Sequence, residues 1–313
     1  MKRAGNLFEQ ITDFNNLRSA YLKALKGKRL SNAALIFGMK ADENLCRIKK
    51  ELESGIYRIG KYRQFKIYDP KEWTITAARF EDRIVHHAIM NVLEPVFEKQ
   101  FVFHTYACRK QKGMHKAVKY ALKKAGSCKY FLKLDVRKYF DSVPHEKLKE
   151  LLFRIIKDRK CLALLFEIID SYSISDGRGL PIGNLTSQFF ANCYLSPLDH
   201  FVLEKLKPKG YARYMDDIAV FSDSKSALKN ILFEMQKFIE PFSLLFKQPA
   251  IDSCRAGVPF LGYSVSGRGI SLLGRTRRRK ARKVRRLAYE FRQGLIDGEK
   301  FADRISCMEN AVF

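Results

Sequence analysis

The sequence predicts an α+β fold, a single body of several lobes, on three observations. Short β-type runs recur at 55–68, 129–136, 211–222 and 260–265. Between them, apolar residues return at the spacing of amphipathic helices. The chain has 313 residues, 46% of them hydrophobic and 12% aromatic, enough to bury a sizeable core.

Two helices are expected near the start, Leu17–Leu25 and Ala41–Ser54. Gly55 to Tyr68 alternates aromatic or aliphatic residues with basic ones and reads as a strand pair. From Glu81 to Phe101, Ile84, Ala88, Ile89, Val92, Leu93, Val96 and Phe97 mark a helix that runs through Pro95. KYFLKLDV at 129–136 is a strand ending at an acid. Ser142 is expected to cap the helix that follows, with Pro144 near its first turn. Gly177 to Gly183 holds three glycines and a proline, hence a loop, and it feeds a long apolar helix from about Thr186. YARYMDDIAVFS at 211–222 reads as a hairpin split by an acidic pair. FLGYSV at 260–265 reads as a strand. Arg275–Arg286 carries nine Lys or Arg among twelve residues and reads as a basic helix. There is no internal repeat and no low-complexity linker.

Lys and Arg number 59 against 33 Asp and Glu, a formal charge of +26. Nucleic acid is the partner that best offsets such self-repulsion, ahead of an anionic membrane surface. Seven cysteines lie scattered without CxxC or zinc spacing, as expected of reduced thiols. No signal-type segment opens the chain and no apolar run reaches the roughly 18–20 residues of a membrane span. A soluble, cytoplasmic protein is expected.

The chemistry centres on acids. Asp135 ends one strand, and Asp216 with Asp217 sits at a hairpin tip between Tyr214-Met215 and an apolar run. An isolated Asp-Asp pair is usually a turn. Adjacent carboxylates in a buried hairpin repel each other, and a bound cation relieves them. Carboxylates gathered from separate strands suit two Mg²⁺ ions about 3.5–4 Å apart, which activate a 3′-hydroxyl and neutralise a leaving pyrophosphate.

FLKLDVRKYFDSV at 131–143 resembles the first catalytic palm motif of reverse transcriptases, and YARYMDDIAVFS resembles their YxDD hairpin. FLGY at 260–263 is similar to the strand leading to their thumb. The resemblance runs from about Asn6 to about Gln293. It implies a right-hand polymerase fold: an N-terminal segment and fingers at 1–128, a palm at 129–265 with fingers–palm helices about 143–178, and a short basic thumb at 266–313. It also implies that Asp135, Asp216 and Asp217, with Val136 beside them, hold two Mg²⁺ ions, with Mn²⁺ as a substitute. Phe140 falls where the family excludes a ribose 2′-hydroxyl; ordinary core packing is its other reading.

The loop and helix from 179 to 202 resemble one branch, the reverse transcriptases of diversity-generating retroelements. The loop reads Ile182-Gly183-Asn-Leu-Thr-Ser187-Gln188, with Ile where most reverse transcriptases have Gln, and Gln188 where they have Pro. FEDRIVHHAIMNVLEPVFE at 80–98 and YACRKQKGMH at 106–115 are similar to that group's fingers. The branch is known for misincorporation opposite template adenines. Replacing a polar side chain by Ile182 removes a contact that could read the incoming nucleotide, and Gly183 lets the backbone come close. Packing alone is the other reading of Ile182. Trp73 departs from the branch, standing where an arginine would contact the triphosphate. Either Lys71 or Arg79 substitutes for that contact or nucleotide affinity is poor; Trp73 itself reads as a stacking surface or, the favoured reading, as a core residue.

Two basic surfaces are expected to grip nucleic acid without reading sequence: Arg109, Lys112 and His115 in the fingers, and Arg277, Arg278, Arg279, Lys280, Arg282 and Lys283 in the thumb. Lys247 lies near the position of a pyrophosphate-protonating lysine but reads as a surface residue. The implied partners are a template RNA and its RNA–DNA duplex, deoxynucleoside triphosphates, and an accessory variability determinant protein, with no membrane. The alternatives are a retron, group II intron-like or defence-associated reverse transcriptase, or an inactive RNA-binding scaffold of the same fold. A palm-type nucleotidyl cyclase is disfavoured because its Gly-Gly-acidic hairpin is absent.

Overall fold

The computed structural model describes residues 3–68 and 72–309, and its elements are mixed helix and sheet. In chain order they are α1 (Phe8–Thr12), α2 (Phe14–Leu25), α3 (Asn32–Met39), α4 (Ala41–Glu53), β1 (Arg63–Tyr68), β2 (Glu72–Ala77) and α5 (Phe80–Glu98). Next come α6 (Met114–Ser127), β3 (Tyr130–Asp135), α7 (Tyr139–Ser142), α8 (His145–Ile155), α9 (Arg159–Asp170) and α10 (Leu185–Phe201). The remainder is β4 (Gly210–Tyr214), β5 (Asp217–Ser222), α11 (Lys225–Ile239), β6 (Ala250–Ser253), β7 (Val258–Phe260), β8 (Tyr263–Ser266), β9 (Gly269–Leu272), α12 (Gly274–Arg292) and α13 (Gly298–Glu309).

The chain forms two compact units, each assembled from separated stretches. One comprises Met1–Val102, Arg137–Phe201 and Phe238–Leu245; the other comprises Phe103–Val136, Val202–Lys237 and Phe246–Phe313. In the first unit, α5 is the central helix. Its Ile84, Val85, Ala88, Ile89, Leu93 and Phe97 are buried, while Tyr21, Phe37 and Phe80 form an aromatic cluster with centroids 5.4–6.2 Å apart. The second unit is built on a four-stranded antiparallel sheet in the order β4-β5-β3-β6. Ala117, Val118, Ala121 and Ala125 of α6 lie in one apolar cluster with Phe131, Ala219, Phe221, Phe260 and Val265. Small side chains on α6 let the helix approach the sheet closely, and Gly210 on β4 leaves room for the Lys124 stem.

Several local expectations need correction. The strand pair expected within 55–68 is the single strand β1, whose partner is β2, in register Phe65↔Ile75 and Ile67↔Trp73. Trp73 is not core: a two-stranded ribbon offers only cross-strand neighbours, and Trp73 is 45% exposed. Ser142 does not cap α8. It closes α7, its hydroxyl donating to the Lys138 carbonyl at 3.0 Å, and Pro144 takes the position before His145. FLGYSV is not one strand, because Leu261-Gly262 is the turn between β7 and β8, with φ of 52° and 86°. Positive φ at both central residues is the signature of a type I′ hairpin, and Gly262 supplies the second without strain. The other elements agree with the sequence, including α5 with Pro95 inside it and the basic helix α12. All seven cysteines are free thiols. Among the described residues no helix is long and apolar enough to cross a membrane.

Candidate active site

The three acids meet in the second unit. β3 pairs with β5 so that Asp135 lies opposite Asp217, and directly opposed residues of an antiparallel pair share a face. Alternation along β3 puts Lys133 on that same face. β4 and β5 close at Tyr214↔Asp217, leaving Met215-Asp216 as a two-residue turn. Met215 has φ 56°, a left-handed conformation that an unbranched non-glycine residue holds only under local strain. After Asp135 the chain is held by Phe246, which bridges to Val136, and by the Lys247 N–H, which donates to the Asp135 carbonyl at 2.7 Å. Lys247 contributes its main chain here, and its side chain is exposed as expected.

The two acids of the pair have different surroundings. Burial, then the neighbouring Asp135 and Asp217 charges, push the Asp216 carboxyl up to about 6, against a smaller opposing pull from Lys133. Burial also raises Asp217, but Lys133 opposes the shift. The Lys133 Nζ lies 2.6 Å from Asp217 Oδ1, as an ion pair that is not aligned as a hydrogen bond. The backbone of Leu261, in the β7–β8 turn, also lowers the same carboxyl. Asp217 is therefore tethered, whereas Asp216 stands against Asp135. Among the described residues no three His, Cys, Asp or Glu side chains form a ready-made metal cage. The donor set nevertheless fits Mg²⁺, which takes one or two carboxylates and completes its shell with water and phosphate oxygens. Mutual repulsion between Asp135 and Asp216 is what such an ion would relieve.

A stability consequence follows. A carboxyl raised in the folded state keeps a proton that the unfolded chain releases, so stability falls as pH rises from about 4 to about 6 and stays low above. Asp216→Asn removes this penalty. In chelator at pH 7.5 the variant should be more stable than wild type by on the order of 2 kcal/mol and so melt higher, with the gap closing near pH 4.5. Equal melting temperatures at both pH values would contradict the assignment of that environment.

The first unit carries the residues expected around the nucleotide. Phe140, in α7, is partly buried, meets Tyr139 edge-on, and its carbonyl accepts the Leu180 N–H at 2.9 Å. The loop that follows runs to Ile182, whose carbonyl accepts the Thr76 N–H of β2 at 2.8 Å. Gly183 has φ 116°, and a Cβ there would sit 2.9 Å from Ile75 Cγ2, so only glycine fits this approach to β2. Ile182 and Gln188 are partly buried. Arg79 precedes α5, with its Nε–H 3.3 Å from Asp82 Oδ2; that fully buried carboxylate also accepts from Tyr57 and the Gly60 N–H. Lys71 lies outside the described residues.

The basic residues divide. Arg109 donates to the Thr105 carbonyl and hydroxyl, and Lys112 donates to the Phe103 carbonyl while lying 3.2 Å over that ring, so both brace their own loop. His115 is exposed on the first turn of α6. On α12, Arg277, Arg278, Arg279, Arg282 and Lys283 are exposed and Lys280 is partly so. The helix is anchored by buried Leu287 and by Phe291, which stacks on Phe301 of α13 at 4.9 Å. Sequence reasoning missed Lys133 and Arg213. Both are cations in strands that are otherwise apolar, and for Lys133 the two-residue period alone places it beside Asp135.

A strand-borne acid facing an acidic hairpin, in a chain of this charge, defines a polymerase-type site. Residues 69–265 match the family described as reverse transcriptase (RNA-dependent DNA polymerase), and the chain belongs to that family. Among curated proteins it is 27% identical over 173 residues to the group II intron-encoded protein LtrA of Lactococcus lactis subsp. cremoris, covering 52% of this chain and 29% of the relative. It is 27% identical over 173 residues to protein YkfC of Escherichia coli, covering 50% and 45%. It is 30% identical over 139 residues to an uncharacterized 91 kDa protein in the cob intron of Schizosaccharomyces pombe, covering 42% and 17%. The matches span less than half the length of these relatives. Solved telomerases share its fold: that of Candida tropicalis at TM-score 0.52 and 12% identity over 69% of this chain and 49% of the other, and that of Candida albicans with a fragment of telomeric RNA at 0.52 and 11%, over 70% and 47%. The fold is the right-hand polymerase fold.

Proposed function

We propose that the protein is an RNA-directed DNA polymerase of a diversity-generating retroelement, copying a template-repeat RNA into cDNA with low fidelity at adenines. The observation that carries the polymerase reading is Asp135 set across the strand pair from the acidic hairpin. Asp135 and Asp216 would hold the catalytic Mg²⁺, with Val136 beside them and Asp217 tethered behind. Two such ions would supply the Lewis acidity that activates a 3′-hydroxyl and screens the departing pyrophosphate, and Mn²⁺ would substitute. The protein's own part is to bring these carboxylates together on rigid strands, while basic side chains hold the duplex. Fingers at 1–128, palm at 129–265 and thumb at 266–313 is the proposed division. Phe140, Gly183, Gln188, Arg79 and Lys71 are the proposed nucleotide contacts.

The low-fidelity reading rests on Ile182. Its carbonyl is committed to β2, and its side chain offers no polar group to a nucleotide. A site that leaves an edge of the substrate unread discriminates weakly. An accessory variability determinant is the partner this reading expects. The similarity to LtrA favours a second reading, a group II intron-like reverse transcriptase. Sequencing cDNA made on a defined RNA separates the two. Errors should concentrate at template adenines and should fall severalfold in Ile182→Gln; a flat spectrum unchanged by that substitution rejects the diversity-generating reading.

A further inference from the structure

Among the described residues Arg213 is one of the largest fully buried side chains, 0% exposed in β4, one residue before Tyr214-Met215-Asp216-Asp217. A buried guanidinium is costly unless its donors are used. One use is explicit: Nη1–H donates to the Met215 carbonyl at 2.9 Å. The register places Arg213 opposite Ile218, and so on the face of the sheet opposite to Asp135, Asp217 and Lys133. The largest charge effects on Asp216 come from Asp135, Asp217 and Lys133. The bond to the Met215 carbonyl ties the guanidinium to the backbone of the turn.

The anchoring end is itself fixed. Arg213 N–H donates to the His104 carbonyl at 3.0 Å, and its carbonyl accepts the Tyr106 N–H at 2.9 Å, so β4 is bordered by segment 104–106 on one edge and by β5 on the other. From this rigid strand the side chain reaches forward to the one residue of the turn with positive φ, Met215 at 56°. A left-handed methionine persists only where its surroundings over-determine it. A charge-assisted hydrogen bond to its carbonyl is such a determinant.

We propose that Arg213 is a positioning residue: its bond to the Met215 carbonyl holds the strained turn that presents Asp216 to the metal and substrate. This rests on the polymerase reading and adds a role for a side chain behind the sheet. Primer extension on a primed RNA, in Mg²⁺ and deoxynucleotides, tests it with Arg213→Lys, Arg213→Gln and the double variant Arg213→Lys/Met215→Gly. Arg213→Lys should lower kcat roughly ten- to a hundredfold, with the deoxynucleotide KM and RNA affinity within about twofold of wild type. Glycine adopts the turn's φ without strain, so the double variant should regain kcat severalfold over Arg213→Lys. A merely structural arginine would not be rescued from the turn. Wild-type kcat in a folded Arg213→Lys, or no rescue in the double variant, overturns the proposal. So does failure of both Lys and Gln variants to fold, which would make Arg213 scaffold. Turnover by wild type and its loss in Asp216→Asn test the polymerase reading separately: if those hold and Arg213→Lys is unimpaired, only the role of Arg213 falls.

Discussion

Asp135→Asn or Asp216→Asn should reduce Mg²⁺-dependent primer extension by at least about a thousandfold while leaving RNA affinity within about twofold. The substitution keeps the shape of the side chain and removes the charge. Asp216 is the more exposed to this test, because its carboxyl is already held up near 6 by burial and by Asp135. It loses solvation, and the pull of Lys133 offsets only part of that cost, an arrangement that a bound metal ion would relieve. Asp217 is different. Lys133 at 2.6 Å and the Leu261 backbone compensate it within the protein, so Asp217→Asn should impair extension less than the other two. RNA binding is separable because the basic surface of α12 holds none of these acids. Extension by the Asp135→Asn/Asp216→Asn double variant at the wild-type rate would end the site assignment.

The second large effect belongs to α12. Replacing Arg277, Arg278, Arg279, Lys280, Arg282 and Lys283 together by serine should weaken duplex binding by roughly 10²–10⁴-fold near 150 mM salt and flatten the dependence of log K on log salt by several units. Each cation that neutralises a phosphate releases a counterion, so the slope counts contacts while the intercept mixes in all else. The helix should survive the change, because buried Leu287, the Phe291–Phe301 stack and the Arg304–Glu290 ion pair to α13 are left in place. Circular dichroism and the melting temperature check that point. An unchanged salt slope in the folded variant would place the duplex elsewhere. Arg109 and Lys112 should matter less per residue for the same measurement, since both already donate within their own loop.

Elements with strong internal pattern were legible in the sequence. The strand ending at Asp135, the hairpin at Asp216-Asp217, the long helix α5 and the basic α12 stand where periodicity and charge put them. What was not legible depends on partners distant in sequence or on backbone angles. β1 looked like part of a pair because its residues alternate, but the strand it pairs with is β2, across residues 69–71. Leu261-Gly262 reads as strand in composition, yet positive φ at both residues turns the chain. Trp73 has the composition of a core residue but lies on a two-stranded ribbon, opposite Ile67, and is 45% exposed. The two compact units interleave along the chain, which no composition shift announces. Within the site, the different fates of Asp216 and Asp217 come from Lys133 and from a turn more than forty residues downstream. The alternation of FLKLD contained the first of these signals; the second required the fold.

On the proposed function, these carboxylates support RNA-templated DNA synthesis. The most direct measurement is incorporation of deoxynucleotides by the purified, unaltered protein on a primed RNA, with Mg²⁺ present or chelated. Product lengthening along the RNA that stops on chelation and returns with Mg²⁺ is the predicted result. No incorporation on any primed RNA, by protein that still binds it, would contradict the account and leave an RNA-binding scaffold of polymerase fold.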